Sequence, residues 1–402
     1  MIIKNGTVLT PFEIHKDASV IVHKDTIVSV GEFETAEHDE NIIDATGCYV
    51  CPGFVDIHTH GGGGGDFMDA TEESFRKALQ FHASFGTTSI LASSVTAPIE
   101  QILKMLQVVR KFKNEKQPIS RVLGAHLEGP FLSEKNRGAH KREYLLIPAQ
   151  HGYDFIRKNH DLIENVTLSP ELPGALEMTR ELVGLGIVVS GGHDDGKESE
   201  IMPLIDAGLT NLTHIFCAMS TNMMRDGIRS VGLTEIGLLD DRLSVELIAD
   251  NHHLPPELVR LAYKCKGPQK ACLVSDCLRA GGKPSDGTLY TLGAQEDQDA
   301  QKFIVAGDVA ILPDRSRYAG SIQPIGRMIK NLVLDCNIPL LDAVCMASFT
   351  PAKIINKENL IGSIAPGKKA DFCILDSNLN VVKTIVGGKV IFNREVIHHG
   401  KN

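Results

Sequence analysis

No stretch of this 402-residue chain reaches the roughly 18 apolar residues of a membrane-spanning helix. A helical membrane protein is therefore not expected. The start, MIIKNGTVLTPFEI, reads as a strand and a turn and lacks the charged, apolar and small-residue regions of a secretory signal. Tryptophan is absent, and the nine cysteines are scattered and odd in number. They suggest buried free thiols in a reduced, soluble, cytoplasmic protein. Positive charge is in deficit, with 41 Lys and Arg against 50 Asp and Glu and a formal net charge of −9. That argues against a general nucleic-acid surface and still allows a local cationic pocket for a small anion. No low-complexity linker appears, only the run GGGGG at 61–65.

What is present is alternation. The chain is long enough for a large core, and its 37 glycines and 18 prolines favour many short turns over long bundles. Residues up to about 50 carry Val- and Ile-rich segments divided by turn residues, IIKNGTVLT, SVIVHKDTIVSVG and NIIDATGCYVCPG. After Pro52 short apolar segments alternate with helical ones: ESFRKALQFHASF before TTSILASS, IEQILKMLQVVRKFKNEK before ISRVLGAHLEG, LPGALEMTRELVGLG before IVVSGGH, SEIMPLIDAG before LTNLTHIF. A helix beginning near Pro255 separates LSVELIAD from ACLVSDC. The last 50 residues or so return to strands. The pattern predicts an α/β protein, a (β/α)8 barrel over 52–352 inserted into a small β-sandwich domain made of 1–51 and 353–402. A doubly wound sheet would also alternate, but it would have trouble bringing six strand ends around one point.

Polar groups recur at those strand ends. His58 and His60 stand two apart in PGFVDIHTHGGGGGD, so period-two geometry points both imidazoles to one side. The glycine run behind them suggests a close approach of substrate or metal. Glu128 ends HLEG, where a carboxylate can ligate or bridge divalent ions, and His193 and His214 end SGGH and THIF. His126, two before Glu128, reads as a packing or supporting residue, and Asp194 and Asp195 read as a solvated turn. Asp276 in CLVSDCLRAGG fits an inward carboxylate that takes a proton from water and returns one to a leaving group. The set suits metal-assisted amide hydrolysis. His140 suits a loop or substrate contact, Arg225 in MMRDG suits a phosphate, and His253 is preferred over His252 as the substrate-facing histidine.

The ordered series PGFVDIHTHGGGGGDFMD, GAHLEGPFLSEKNRGAH, THIFCAMS with Arg225 downstream, ADNHH, SDCLRAGGKPSDGTLYTLG, YAGSI and TPAKI…IGSIAPGKKADFCILD resembles the N-acetylglucosamine-6-phosphate deacetylase family of the amidohydrolase superfamily, nearly end to end. The resemblance implies a metal-dependent barrel with a terminal β-sandwich, usually in a homodimer, acting on an N-acetylated amino-sugar 6-phosphate. It implies that Glu128, His193 and His214 hold one divalent ion and that His58 and His60 hold a second, with Glu128 bridging. Zn²⁺ and Fe²⁺ lead, and Mn²⁺ and Co²⁺ suit the same ligands. Asp276 would be the general base and acid. His140 would meet sugar hydroxyls, His253 and Arg225 the phosphorylated sugar, and the backbone near Ala218 and Met219 would help hold it; the arginine can reach the neighbouring protomer's site. Cys217 and Asn251 depart from the family's usual Asn and Gly, and GGHDDG also departs, which bears on sugar selectivity. The galactosamine epimer, a cyclic-amide or dipeptide hydrolase and a non-catalytic sugar-phosphate sensor are the competing readings.

Overall fold

The computed structural model describes residues 1–31, 41–116, 118–225 and 227–394, without the side chain of Arg225. Eight parallel strands run in chain order around one axis: β1 (Phe54–Thr59), β2 (Thr87–Ser94), β3 (Arg121–Glu128), β4 (Ile163–Leu168), β5 (Val188–Gly191), β6 (Leu209–Leu212), β7 (Ser244–Leu247) and β8 (Ala271–Leu273). Each pairs with the next. The β8–β1 seam is closed just past β8, where the Asp276 N–H donates to the His58 carbonyl at 2.8 Å and the Ser275 N–H to Asp56 Oδ1 at 3.2 Å. This is the predicted (β/α)8 barrel.

Sequence pattern explains its layers. TTSILASS is buried at every position, as a parallel strand covered on both faces must be. The helix Glu72–Ala83 is started by Thr71, whose side chain accepts from the Ser74 N–H, and it buries Phe75, Ala78, Leu79 and His82. Helix Ile99–Lys113 buries Ile102, Met105, Leu106, Val109 and Phe112, the same helical stripe. Two pieces were not anticipated. A hairpin, Met223–Arg225 with Ile228–Ser230, follows β6. A four-stranded sheet (Leu289–Thr291, Lys302–Ala306, Val309–Ile311 and Tyr318–Ser321) follows β8.

The termini meet in the other eight-stranded sheet, where Phe372–Leu375 pairs antiparallel with Tyr49–Pro52. That sheet turns back on itself: the Ile27 N–H donates to the Lys368 carbonyl at 2.9 Å and the Gly367 N–H to the Ile27 carbonyl at 2.8 Å. The result is a β-sandwich around its own core of Ile3, Val20, Val22, Ile27, Val50, Phe372, Ile374 and Ile385. It docks at the start of the barrel strands. Arg121, first residue of β3, makes a fork to Asp371 at 3.1 and 3.2 Å, and Thr384 Oγ1 donates to the Ala83 carbonyl. Glu128 lies at the far end of that same β3.

Candidate active site

The C-terminal ends of the barrel strands bring His58, His60, Glu128, His193, His214 and Asp276 together. All six residues are buried. Glu128 is the hub. Its Oε1 lies 3.1 Å from His193 Nε2 and 3.0 Å from His214 Nε2, and those two nitrogens are 3.1 Å apart. Its Oε2 faces His60 Nε2 at 3.3 Å, and Oε1 faces His58 Nε2 at 3.5 Å. Asp276 Oδ1 lies 3.1 Å from His60 Nε2 and 3.6 Å from His58 Nε2. Ligands about 2.0–2.1 Å from a tetrahedral ion lie roughly 3.3–3.4 Å from one another, close to these separations.

The supporting groups set the histidine tautomers. His193 Nδ1 donates to the Asn136 carbonyl at 2.9 Å, and His58 Nδ1 lies 3.0 Å from Glu246 Oε2. Each leaves its Nε2 lone pair aimed at the centre, and His58 Nε2 is a buried nitrogen without a hydrogen-bond partner. His140 Nε2 also reaches Glu128, at 3.2 Å. Its Nδ1, however, accepts the Thr96 N–H, so Nε2 keeps its proton and acts as a donor rather than a metal ligand.

Charge tells the same story. Burial opposes a positive His60, yet its hydrogen bonds to Asp276 and Glu128 outweigh that and lift its pKa to about 9. Burial opposes charge on His58 too, but the Glu128 charge and the bonds to Glu128 and Glu246 raise it well above the usual histidine range. Burial would raise the Glu128 carboxyl, but the charge on His58 with the hydrogen bonds from His140 and His193 holds it well below its ordinary value. Asp276 is lowered likewise, against its burial, chiefly by the His60 hydrogen bond and the His58 charge. Buried carboxylates here demand positive charge, and a divalent cation supplies it without protonating the imidazoles. The group His58–His60–Glu128, and the one that Glu128 forms with His193 beside His140, have the donor types and spacing of a metal-dependent site.

Backbone strain marks the same place. His193, His214 and Asp276 have φ of 49°, 31° and 45°, uncommon for residues with a Cβ. Surrounding bonds hold the kinks: the His193 carbonyl accepts from Ser133 N–H and Ser169 Oγ at 3.0 and 2.6 Å, and the Asp276 carbonyl from the Ser321 N–H at 3.0 Å.

The amidohydrolase family model matches residues 49–391, the barrel together with sandwich strands from both sides of it. The N-acetylglucosamine-6-phosphate deacetylase of Vibrio furnissii is 32% identical over 379 residues, covering 94% of this chain and 92% of that one. The crystal structure of the Pasteurella multocida enzyme of the same name superposes with a TM-score of 0.88 at 27% identity, over 97% of this chain and 98% of the other. The chain belongs to the N-acetylglucosamine-6-phosphate deacetylase family of the amidohydrolase superfamily. The N-acetylgalactosamine-6-phosphate deacetylase of Escherichia coli O157:H7 is also a relative, 31% identical over 342 residues that cover 85% of this chain and 87% of that one.

In this amidohydrolase a cavity opens over the His–Glu cluster, lined by His60, Glu128, His140, His193, His214 and Asp276 and, towards its rim, by Cys217, Ala218, His253, Arg317 and Tyr318. His253 faces it while His252 is exposed. His253 Nδ1 bonds Asp250 Oδ2 at 2.8 Å. Burial opposes its charge, but the Asp250 hydrogen bond and carboxylate raise its pKa. Asn251 adopts φ 63°, a left-handed conformation that Asn tolerates and Gly adopts most freely. Met219 packs its side chain into the core, so only its backbone is available to a ligand. Arg225 ends a strand of the hairpin, and its side chain lies outside the described residues.

Two readings are corrected. None of the five glycines at 61–65 lines the central cavity. They serve close packing: a Cβ on Gly61 would meet the Gly65 carbonyl at 2.2 Å, and one on Gly65 the Ser74 carbonyl at 2.2 Å, under the helix Glu72–Ala83. Asp194 is not a solvated turn. It is buried and accepts from Ser220 N–H and Oγ at 2.9 and 2.6 Å, tying the strand-end loops after β5 and β6 together. His126 is the packing residue expected, bonded to Ser93 and Thr167 with its ring centroid 4.5 Å from that of His58. Glu246 and Arg317 were missed. A lone carboxylate inside the apolar LSVELIAD was a signal for the first. Nothing in local pattern marked Arg317 or the Asn136 carbonyl.

Proposed function

We propose that this protein hydrolyses the N-acetyl group of N-acetyl-D-glucosamine 6-phosphate, giving D-glucosamine 6-phosphate and acetate. The observation that carries the reading is a buried carboxylate, Asp276, with its Oδ1 3.1 Å from a nitrogen of the His–Glu cluster in one open cavity. Glu128, His193 and His214 hold one ion, and His58 and His60 a second, with the two Glu128 oxygens reaching both groups. Zn²⁺ or Fe²⁺ is the leading occupant, with Mn²⁺ and Co²⁺ compatible. When bound, a divalent ion supplies Lewis acidity, which polarises an amide carbonyl and lowers the pKa of water.

The chain's own groups do the rest. Asp276 accepts a proton as water adds to the acetyl carbon, and it returns one to the amide nitrogen as the C–N bond breaks. His140 keeps a proton on Nε2 within the cavity, where it meets sugar hydroxyls. His253 and Arg225 meet the phosphorylated end, and the Ala218–Met219 backbone borders the sugar. The hairpin bearing Arg225 exposes Met224 at 57% and Ile228 at 72%, which supports packing against a second copy in a homodimer. Among the described residues no helix is long and apolar enough to cross a membrane. Nine unpaired cysteines fit a reducing, cytoplasmic setting.

The galactosamine epimer is the second reading, favoured by Cys217 on the cavity wall, whose thiol burial pushes up to about 12 and keeps protonated. A thiol cannot match the donors and acceptors of an amide side chain. Acetate release from the two epimeric sugar phosphates, with metal content measured on the same preparation, is the test. Release from N-acetylglucosamine 6-phosphate at the higher kcat/KM is expected. A higher value for the other epimer would move the substrate, and no release from either would end the deacetylase reading.

A further inference from the structure

We propose that Arg317 recognises the phosphate of the substrate from within the same subunit, an inference that rests on the deacetylase reading above. Arg317 lines the rim of the catalytic cavity and is exposed. Among the described residues its one side-chain hydrogen bond runs from Nη1 to the Gly138 carbonyl at 3.1 Å. Asp314, three residues earlier, feels its charge, but no described carboxylate forms a close ion pair with the Arg317 side chain, so N–H donors of the guanidinium fork are left for a ligand at the opening. Such a fork suits a phosphate, which accepts two parallel charge-assisted bonds.

Its placement fits the length of the substrate. Glu128 and Asp276 mark the part of the cavity where the amide reacts, so the phosphate end of the substrate lies away from them, towards the rim. Arg317 directly precedes the strand Tyr318–Ser321. At the other end of that strand the Ser321 N–H holds the Asp276 carbonyl at 3.0 Å. Four residues of strand span roughly 13 Å at about 3.3 Å each. That leaves room for a sugar ring between the reacting amide and an anion reached by the arginine side chain. Tyr318 continues the same rim, its ring centroid 5.2 Å from that of His253. The rim thus sets the His253 imidazole, from the loop after β7, beside the strand–loop unit that carries Arg317 and whose far end positions the proton-carrying Asp276. Arg225 comes from a different element, the hairpin after β6, so the two arginines are separable by mutation.

The test is steady-state kinetics of the metal-loaded full chain on N-acetylglucosamine 6-phosphate and on unphosphorylated N-acetylglucosamine, for wild type, Arg317→Ala and Arg317→Lys, with inorganic phosphate as inhibitor. Arg317→Ala is expected to lower the ratio of kcat/KM for phosphorylated over unphosphorylated sugar at least tenfold. The change should sit mainly in KM, with a similar rise in the inhibition constant for phosphate. Arg317→Lys should recover part of both. Equal fractional losses on the two sugars would overturn the proposal, because an arginine that only ties down the Gly138 loop would damage both reactions alike. An unchanged ratio would overturn it as well. If the wild type releases no acetate from the sugar phosphate, the deacetylase reading has failed by itself. Calorimetric titration of inorganic phosphate into wild type and Arg317→Ala then decides the arginine's role: weaker binding by the variant supports it, and equal binding overturns it.

Discussion

The two ends of β3 sit in opposite kinds of environment. At Arg121 the strand meets the terminal β-sandwich, where the core is largely Val, Ile and Phe and the arginine is matched donor for acceptor with Asp371. At its other end, Glu128, it enters a cluster of imidazoles and carboxylates with unpartnered buried nitrogens on His58, His60 and His214. Among the described residues none of the unpartnered buried side-chain atoms belongs to the sandwich strands. The sandwich is complete as a folded object. The barrel mouth is not, because its buried polar atoms are arranged for a ligand that the chain itself does not supply. A single strand therefore joins a region selected for stability to one whose strain and exposed demand for charge serve chemistry.

Mutations should separate the two regions by the readout they move. The largest effect belongs to Asp276→Asn. It should keep metal and melting temperature near wild type while kcat falls about 10²–10⁴-fold, the usual weight of general acid–base catalysis. Near-normal kcat with full metal occupancy would remove Asp276 from its role. Phe372→Ala, in the fully buried sandwich core, should do the reverse, costing about 3–5 kcal/mol in denaturant unfolding and leaving kcat per folded molecule unaltered. A changed kcat would mean that the sandwich shapes the site. Glu246→Gln leaves volume intact but removes the charged acceptor of His58 Nδ1. Metal affinity should drop about 10–100-fold in competition with a chelator, and an unshifted affinity would reduce Glu246 to a packing role. At the small end, Glu73→Gln breaks an exposed pair with Lys77 and should leave both the unfolding midpoint and kcat unchanged within measurement error.

Much of this was legible before any coordinates. Helix stripes such as Ile102, Met105, Leu106 and Val109 repeat at helical spacing, and that local periodicity survives folding. The strand-end residues His58, His60, Glu128, His193, His214 and Asp276 were found because a barrel gathers its strand termini at one face, so order along the chain becomes proximity in space. The glycine run was misread for a physical reason. Glycine marks a close approach but not its partner, and the partner here is the helix Glu72–Ala83. Asp194 was misread likewise, since a charged residue after a strand looks solvated until its Ser220 partner from another loop is placed.

The sequence by itself determined the alternating α/β architecture, the return of both termini to strands and the donor types at the barrel mouth, because each follows from periodicity or from residue chemistry. Tertiary structure alone decided what those donors face. The Thr96 N–H assigns the His140 proton, the Asn136 carbonyl and Glu246 aim His193 and His58, and the strand Tyr318–Ser321 carries Arg317 to the rim above Asp276. These contacts join residues dozens to hundreds of positions apart. No local pattern encodes them, since they exist only once the barrel has closed.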